Sequence, residues 1–276
     1  RGLMIYEGDR AVPDMAERYE ISPDGTVYTF TLKSGVKFSN GREVVAEDYK
    51  YSLQRTMDPD LASWGSYYLV SLVGAQDVLD GKTKDCKGIE VLDKYTLRFT
   101  LTAPDMTFLN ILALPQNWPV PKEEVEKWGK DFGTHPTGAG PFMCKEFVPG
   151  EKAVFVPNPY YYVEGQPYLD EVVYLFNIDQ ATALMRTEKG EVDILIGEDI
   201  PSSEFARVMS DPSLKDWVRQ EPAMYTTWLG MNNQRAPLSD VRVRRAINMA
   251  VNRDKLVKME AGRARRSIRS TPRRRP

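Results

Sequence analysis

A cluster of aromatic residues is the first feature of the sequence that could bind a ligand. Trp64, Tyr67 and Tyr68 surround Gly65 in a polar stretch that follows Asp58-Pro59-Asp60. Flat rings with a few hydroxyl groups are typical of the walls of ligand pockets, although aromatic side chains also fill protein cores. The segment therefore predicts either one wall of a binding site or a packed loop, and both interpretations stay open.

Two further segments offer groups that a ligand could contact. Asn117-Trp118 lies among the three prolines of residues 115–121, so stiff backbone presents an aromatic ring. Residues 137–142, Thr-Gly-Ala-Gly-Pro-Phe, lack the GxxxxGK(S/T) pattern of a phosphate loop, and a strand rather than a helix is predicted to follow. Backbone N–H groups near Gly138 could touch a ligand, and the alternative is a tight entry into a strand.

The sequence contains no plausible catalytic set. His135 is the only histidine, and it has no neighbours at metal-ligand spacing and no partner for a nucleophile. Glu123, Glu124 and Glu126 alternate with lysines in a helix-like stretch, which is typical of a solvated face. We expect no enzyme, no metal and no cofactor. A hydrolase is the alternative of this class, and it would need a nucleophile–base pair.

The composition favours a packed globular body with a basic end. Hydrophobic residues make up 42% of the 276 and charged residues 28%. Residues 259–276 contain seven arginines and one acid, Glu260. Subtracting these from 37 basic and 39 acidic residues leaves 30 and 38, so residues 1–258 have a formal charge of −8. An acidic body argues against nucleic-acid binding outside the tail.

The cysteines and the hydropathy exclude several other classes. Cys86 and Cys144 have no CxxC spacing, which excludes a multi-bridge framework and a cysteine-rich zinc site. Buried free thiols are favoured, while one bridge stays open. No apolar run approaches the roughly 20 residues that span a bilayer. The opening residues 1–6 are typical of the inside of a fold, so an export signal is expected to lie outside this chain.

Hydrophobic periodicity predicts intermixed strands and helices without strict alternation. The expected class is α/β or mixed α+β with mixed sheets. Residues 115–121 are expected to be extended and to cross between domains. The predicted strands are residues 26–32, a hairpin over 88–101 with Asp93-Lys94 in its turn, residues 142–147 and 151–156, and a short buried strand over 193–196. The predicted helices are residues 44–57, residues 180–189 ending at Gly190, and a helix from an N-cap at Ser239 to about Lys258.

Four sequence blocks occur in order over most of residues 1–258. They are residues 16–55, with Ala-Glu-Asp at 46–48 and Ser-Leu-Gln-Arg at 52–55; residues 136–142 with 149–151 and 158–161; residues 190–194; and residues 229–233 followed by 240–246 and 252–254. Together they resemble the family 5 bacterial extracellular solute-binding proteins, the oligopeptide-, dipeptide- and nickel-binding proteins of ABC transporters. The segment 119–122 and the stretch 232–240 are most similar to the oligopeptide-binding branch.

The resemblance implies a two-lobed binding protein of the type II periplasmic class that closes on its ligand. Residues 1–121 would be the second, smaller domain, and residues 122–258 the middle segment of the first domain up to the hinge. Family members are commonly much longer, so the chain is expected to be an incomplete lobe that lacks the opposing domain and binds its solute weakly. It would serve peptide uptake outside the cytoplasmic membrane, in the periplasm or on the extracellular face.

The resemblance also implies ligand contacts and partners. Trp64 and Tyr67 match the position of the second domain's aromatic contact loop, while Trp118, Gly138 and Asn232 would lie near the cleft and hinge. The expected partners are an oligopeptide or another small solute and the permease subunits of the transporter, with membrane contact only through the transporter.

The basic tail departs from the family pattern after Lys258. The hypothesis is a frameshift or a premature end of the gene, which leaves residues 259–276 without an evolved role. The alternative function is an interaction module that binds nucleic acid or an anionic membrane through these arginines.

Overall fold

The chain forms two compact units, and the described sheets are short and antiparallel. The computed structural model describes residues 1–195, 200–218 and 228–259. The first unit is Arg1–Asn177 and the second is Ile178–Pro276. The basic tail beyond residue 259 lies outside the described residues, and so does the hypothesis about its function.

All strands with assigned pairings belong to the first unit. Their bounds are β1 Met4–Glu7, β2 Arg10–Pro13, β3 Ala16–Ile21, β4 Val27–Leu32, β5 Ile89–Asp93, β6 Thr96–Thr100, β7 Phe142–Val148, β8 Lys152–Pro157 and β9 Val172–Leu175. They form a hairpin β1-β2, a four-stranded sheet in the order β3-β4-β6-β5, and a three-stranded sheet β7-β8-β9. The predicted combination of helices and sheets is confirmed. Every described strand pair is antiparallel, so the parallel pairs that a mixed sheet would include are not found in this part of the chain.

Short helices connect and cover these sheets. Their bounds are α1 Ala46–Met57, α2 Ala75–Leu79, α3 Phe108–Leu112, α4 Lys122–Trp128, α5 Gln180–Glu188, α6 Ser202–Ser210, α7 Val241–Ala250 and α8 Arg253–Met259. Single 3-10 turns cover Ser66–Leu69, Pro115–Asn117, Gly129–Thr134 and Lys215–Trp217. In the described residues no helix is both long enough and apolar enough to span a membrane.

The core of the first unit lies on one face of the four-stranded sheet. Along β4, Tyr28, Phe30 and Leu32 are buried and the residues between them are half-buried, as the period of two predicted. Phe30 meets Phe99 edge to face, with ring centroids 5.7 Å apart. On the buried face of α1, Tyr49 belongs to the same cluster. Burial of these apolar side chains stabilises the first unit and the surface loops that it carries.

The N-terminus of α1 depends on a buried carboxylate. Asp48 Oδ2 accepts the N–H of Val45 at 2.9 Å, which satisfies a donor that the helix leaves free. Arg42 holds the same carboxylate with two hydrogen bonds of 3.0 and 2.6 Å. This pair gives a structural reason for the Ala-Glu-Asp motif in the first sequence block.

The glycine-rich segment 137–142 leads into β7, and Asn158 fastens it from the far end of β8. Asn158 is buried, and its Nδ2 donates to the Gly140 carbonyl at 2.8 Å. Its backbone N–H donates to Pro141 at 2.8 Å, while its Oδ1 accepts the N–H of Tyr160 at 3.0 Å. The motif Asn-Pro-Tyr-Tyr at 158–161 is therefore a structural clamp on the β7-β8 hairpin, which the sequence predicted around Pro149-Gly150.

Side-chain caps and ion pairs organise the second unit. Asp179 accepts the N–H of Thr182 at 3.0 Å at the start of α5. Gly190 follows the helix with φ +72°, so the predicted C-terminal glycine is confirmed. Arg207 of α6 pairs with Glu188 of α5 at 2.5 Å and joins the two helices.

A predicted turn and a predicted strand need correction. The turn of the 88–101 hairpin is Lys94-Tyr95, because Asp93 is still paired with Thr96. Residues 193–195 form no strand and Ile194 is 66% exposed, because no described strand pairs with them. Ile196, the last residue of that predicted strand, lies outside the described residues.

The helix predicted from Ser239 to Lys258 is two helices. Asp240, not Ser239, caps α7 by accepting the N–H of Arg242 at 2.8 Å. Asn252 Oδ1 accepts the N–H of Lys255 at 2.9 Å, so its side chain starts α8 and interrupts the run. The apolar residues keep helical spacing on both sides of Asn252, so the sequence pattern did not reveal the break that this capping residue creates.

The proline-rich stretch 115–121 lies within the first unit and packs on α1. Pro115–Asn117 is a 3-10 turn and not extended, whereas Trp118 and Pro121 have the extended backbone that the sequence predicted. Thr56 donates to the Gln116 carbonyl at 2.8 Å. The boundary of the predicted domains near residue 121 stays a prediction.

One prediction concerns the buried carboxylate of Asp14, which is 5% exposed. It pairs with Arg1 at 3.2 Å and accepts the hydroxyl of Tyr162, which ties the loop after β8 to the first strands. We expect Tyr162→Phe to lower the free energy of unfolding by about 1–3 kcal/mol, because a buried acceptor loses its donor. Urea denaturation measures this. Tyr160→Phe is the matched control, and an equal loss in both variants would contradict the role of Asp14.

A second prediction concerns pH. Hydrogen bonds from Lys94, Tyr95 and the Gly35 N–H lower the pKa of Glu43 from 4.5 to about 2. A lowered pKa in the folded state stabilises the fold above pH 4.5, and this contribution disappears as the pH falls towards 2. Glu43→Gln should therefore be less stable than wild type near neutral pH, with the difference closing at low pH. Urea melts across this range measure it. Glu47→Gln, which removes an exposed carboxylate of α1, is the matched control.

A third prediction concerns the edge strand β9. Among the described residues β9 pairs only with β8, and its exposed residues Val173, Tyr174 and Leu175 carry no charge. Such edges pair with other chains, so we expect concentration-dependent self-association that Val173→Lys reduces. Sedimentation velocity measures this, with the exposed loop variant Tyr168→Lys as the charge-matched control. A wild type that stays monomeric at every concentration would refute the expectation.

Candidate functional site

The three aromatic rings of residues 64–68, named here the aromatic loop, form one cluster on the surface. Tyr68 lies at its centre: the Trp64 ring meets it edge to face at 6.3 Å between centroids. The Tyr67 ring lies 4.0 Å from it at an angle of 33°. Trp64 is 70% exposed and Tyr67 57% exposed. The cluster therefore offers solvent a flat aromatic surface, as expected of a binding wall and not of a core.

Buried neighbours hold the aromatic loop in place. Gly65 is buried, and a Cβ added there would lie 2.5 Å from Cγ of Gln116. Leu69, at the end of the 3-10 turn, is fully buried in the core. The loop starts in a tight turn after α1, where Ala62 has φ +50°. Only glycine allows the backbone to approach the 115–117 turn this closely.

Hydroxyl groups connect the aromatic loop to its surroundings. The hydrogen bond with Tyr68 raises the pKa of Tyr67, with burial a smaller cause. Tyr6 of β1 faces Tyr68 and donates its hydroxyl to the Asn110 carbonyl at 3.2 Å. Burial, followed by the charge of Tyr68, raises the pKa of Tyr6. Because the pKa values of Tyr6 and Tyr67 are raised, both phenols are neutral at neutral pH and can donate and accept hydrogen bonds.

Tyr6 was absent from the sequence predictions, and Tyr68 was named in the aromatic segment but not among the expected ligand contacts. Tyr68 belongs to the aromatic segment and was identifiable there. Tyr6 comes from β1, some sixty residues earlier in the printed sequence. No local pattern in β1 indicates this approach, because it depends on how the first hairpin packs against α3.

Trp118 is half-buried and packs against the first residues of the chain. A Cβ added to Gly2 would lie 2.2 Å from its Cδ1, so the indole covers the backbone of Gly2. Its Nε1 is buried and has no hydrogen-bond partner among the described residues. The described contacts of Trp118 are therefore those of a packed side chain, and a ligand contact stays a prediction.

Gly138 is exposed and serves as a backbone acceptor. Its carbonyl accepts the N–H of Ser39 at 2.8 Å, which fixes the glycine-rich segment to the loop before α1. A Cβ there would meet nothing within 4 Å, so space does not require a glycine. Its predicted place near the cleft stays untested.

Asn232 belongs to the second unit, where it is exposed. Its Oδ1 accepts the N–H of Gln234 at 3.0 Å. The adjoining segment 228–233 and α7 border an open groove of about 410 Å³, with Trp228, Val241 and Arg244 among its lining residues. Asn232 itself is not among the lining residues, and its predicted ligand contact stays a prediction.

The remaining polar candidates have structural partners. His135 is exposed and stacks on Trp128 at 3.6 Å, nearly parallel. Glu123 pairs with Arg42, and Glu124 with Lys127 at 3.2 Å. These contacts agree with a loop histidine and a solvated acidic face.

The described residues contain no group of three or more histidine, cysteine or acidic side chains that could hold a metal ion. Cys86 is buried and Cys144 is half-buried, and both are free thiols. Burial raises the pKa of each thiol, which lowers the reactivity of both. Cys86 therefore matches the favoured prediction, while Cys144 is less buried than expected.

Several curated proteins are similar to this chain over nearly all of its length. The periplasmic oligopeptide-binding protein OppA of Escherichia coli K12 is 32% identical over 263 residues, which are 93% of this chain and 48% of that protein. The periplasmic murein peptide-binding protein MppA of the same strain is 33% identical over 90% of this chain and 46% of that protein. The chain thus spans about half the length of these relatives.

Solved structures are similar as well. The murein tripeptide-binding protein MppA of Escherichia coli has a TM-score of 0.81 at 32% identity, over 93% of this chain and 50% of that chain. OppA of Burkholderia pseudomallei has a TM-score of 0.81 at 26% identity, over 93% and 51% respectively. Both similarities support the predicted lobe of a type II periplasmic binding protein.

A family model decides the classification. The model described as "Bacterial extracellular solute-binding proteins, family 5 Middle" matches residues 10–267. The match covers all four sequence blocks, and it extends nine residues beyond Lys258, where the resemblance in the sequence stops. Because it covers most of the 276 residues, this chain belongs to family 5 of the bacterial extracellular solute-binding proteins.

Proposed function

We propose that the chain is the substrate-binding component of an ABC transporter for peptide uptake. It captures oligopeptides or similar small solutes outside the cytoplasmic membrane, in the periplasm or on the extracellular face. Its partners are the solute and the permease subunits, and it touches the membrane only through the transporter. In this role the chain needs neither a catalytic residue nor a cofactor.

Membership of the family is the single observation that carries this proposal. The names of the relatives add support. An oligopeptide-binding protein, a murein peptide-binding protein and a glutathione-binding protein match 93%, 90% and 94% of the chain, respectively. Their ligands share a peptide backbone, so the substrate class of a peptide or a peptide-like solute is the one that they favour.

The aromatic loop is the part of the chain that we assign to ligand contact. Trp64 and Tyr67 offer exposed ring faces, while Gly65 and Leu69 hold the loop on the core. Rings of this kind accept varied side chains, because apolar area and a few hydroxyl groups impose little geometric selection.

The proposed set also includes Trp118, Gly138 and Asn232. Each of these residues has a local contact that by itself explains its position. In the same proposal, residues 1–121 form the second domain and residues 122–258 the middle segment of the first. The first 177 residues cluster as one compact unit, so this division rests on the family resemblance and not on contacts.

Affinity in this mechanism comes from enclosure. A ligand favours the closed form of a two-lobed protein because only that form contacts it from both sides. Each net hydrogen bond contributes about 0.5–3 kcal/mol, and each 1.4 kcal/mol is about a factor of ten in affinity. Contacts from one wall only would therefore leave binding many decades weaker than in a complete cleft.

We predict weak peptide binding by residues 1–276 alone, with dissociation constants above about 10 μM. The chain spans about half of its relatives' length, so it offers part of the contacts of a full cleft. Calorimetric titration with a library of tri- to pentapeptides measures this. Trp64→Ala should weaken the residual binding, because it removes the most exposed ring of the wall.

Trp217→Ala is the control for the loss of an exposed indole, since this residue belongs to the second unit. A complete absence of binding at millimolar peptide would contradict the proposed function. Binding at micromolar or tighter affinity would instead contradict the one-wall mechanism, and equal losses in both variants would remove the aromatic loop from the site.

A further inference from the structure

The aromatic loop differs from the other aromatic groups of the chain in its cation contacts. In the described residues, six rings each have a lysine or arginine within 6 Å of the ring centroid. The pairs are Lys33–Tyr162, Lys37–Tyr160, Arg42–Phe38, Arg55–Phe132, Lys94–Tyr95 and Lys127–Trp128. None of these cations lies over Trp64, Tyr67 or Tyr68. The most exposed aromatic cluster of the first unit therefore keeps its ring faces free of the chain's own cations.

The sequence segment that contains the aromatic loop carries charges of one sign, and lysines just beyond it pair with three of its carboxylates. Residues 56–81 contain four aspartates and no lysine or arginine. Asp77 and Asp80 are both paired with Lys82, at 3.3 and 2.8 Å. Within the described part of the chain, Asp60 forms no ion pair, and it lies four residues before Trp64 in the turn that starts the loop.

The second carboxylate of this turn is only loosely neutralised. Asp58 Oδ2 lies 3.9 Å from Nζ of Lys84, a lysine that is almost fully exposed. Asp58 also accepts the N–H of Asp60 at 3.0 Å, which fixes the two carboxylates in one turn. An anionic ligand group would meet repulsion there, while a cationic group would meet attraction from both the carboxylates and the ring faces.

We propose that the aromatic loop is the subsite for a cationic side chain of the ligand, an ammonium or guanidinium group of a peptide residue. The inference rests on the proposed function and adds the chemical class that this wall selects. The cation lies against the face of Trp64 or Tyr67, within about 6 Å of the ring centroid, with Asp60 as the neighbouring anion. The long alkyl stem of lysine or arginine covers the remaining apolar surface.

Three peptides that share their termini isolate the side chain: Ala-Lys-Ala, Ala-norleucine-Ala and Ala-Glu-Ala. Their affinities for residues 1–276 are measured at low ionic strength by NMR, from the shift of the indole N–H of Trp64, which reports weak binding directly. We expect the lysine peptide to bind roughly 3- to 30-fold more tightly than the norleucine peptide and the glutamate peptide to bind most weakly. Salt should reduce the preference.

Variants separate the ring from the charge. In Trp64→Leu, where calorimetry replaces the lost indole signal, the preference for lysine over norleucine should fall to near one. In Trp64→Phe it should be intermediate, because a smaller ring retains part of the attraction. Asp60→Asn should lower the preference while the norleucine peptide binds as before. Trp217→Leu, outside the loop, should leave the ratio unchanged.

The outcomes separate this inference from the proposed function. Equal binding of the lysine and norleucine peptides would overturn the cationic subsite and leave peptide capture intact. A preference that survives in Trp64→Leu would also overturn it, by placing the selection elsewhere. If none of the three peptides binds at millimolar concentration, both the subsite and the proposed function fail.

Discussion

The close approach of Gly65 to Gln116 is the contact on which the proposed site depends. It lets the backbone of the aromatic loop sit against the 115–117 turn, with 2.5 Å between Cγ of Gln116 and the place where a Cβ would be. Leu69 enters the core just beyond. Next to these two anchors, the rings of Trp64 and Tyr67 face solvent. The rings therefore leave apolar area in contact with water. This exposure costs free energy, and a loop with only a structural role would not require it.

The rest of the first unit supports this arrangement from below. The core of the four-stranded sheet and α1 positions the end of α1, from which the loop begins, and Thr56 of α1 binds the carbonyl of Gln116. Gln116 in turn meets Gly65. The chain of contacts from the core to the exposed rings is therefore short. It consists of hydrogen bonds and close packing, and such a framework keeps a binding surface preorganised.

Much of this fold was predictable, because local patterns determine it. The alternation in β4, the apolar face of α1 and the glycine after α5 follow from periodicity and backbone conformation, and each was found where the sequence predicted it. The errors have local causes too. Asn252 interrupts a helical run by capping the next helix, and the turn after Asp93 depends on strand register.

The site was less predictable than the fold. Trp64 and Tyr67 were identifiable by their types and spacing, yet Tyr6 approaches Tyr68 from a strand far away in sequence. Trp118 had the right type and a rigid context, but its ring packs on Gly2. Residue type alone does not tell whether an indole points outward or inward. That outcome depends on the space left by distant residues.

A crystal structure of residues 1–276 with a lysine-containing tripeptide tests the central claim most directly. The account predicts a ligand that lies against Trp64 and Tyr67, with the lysine ammonium over a ring face and the opposite side of the peptide open to solvent. A peptide enclosed in a deep cavity built wholly from this chain, or bound away from the aromatic loop, would contradict it.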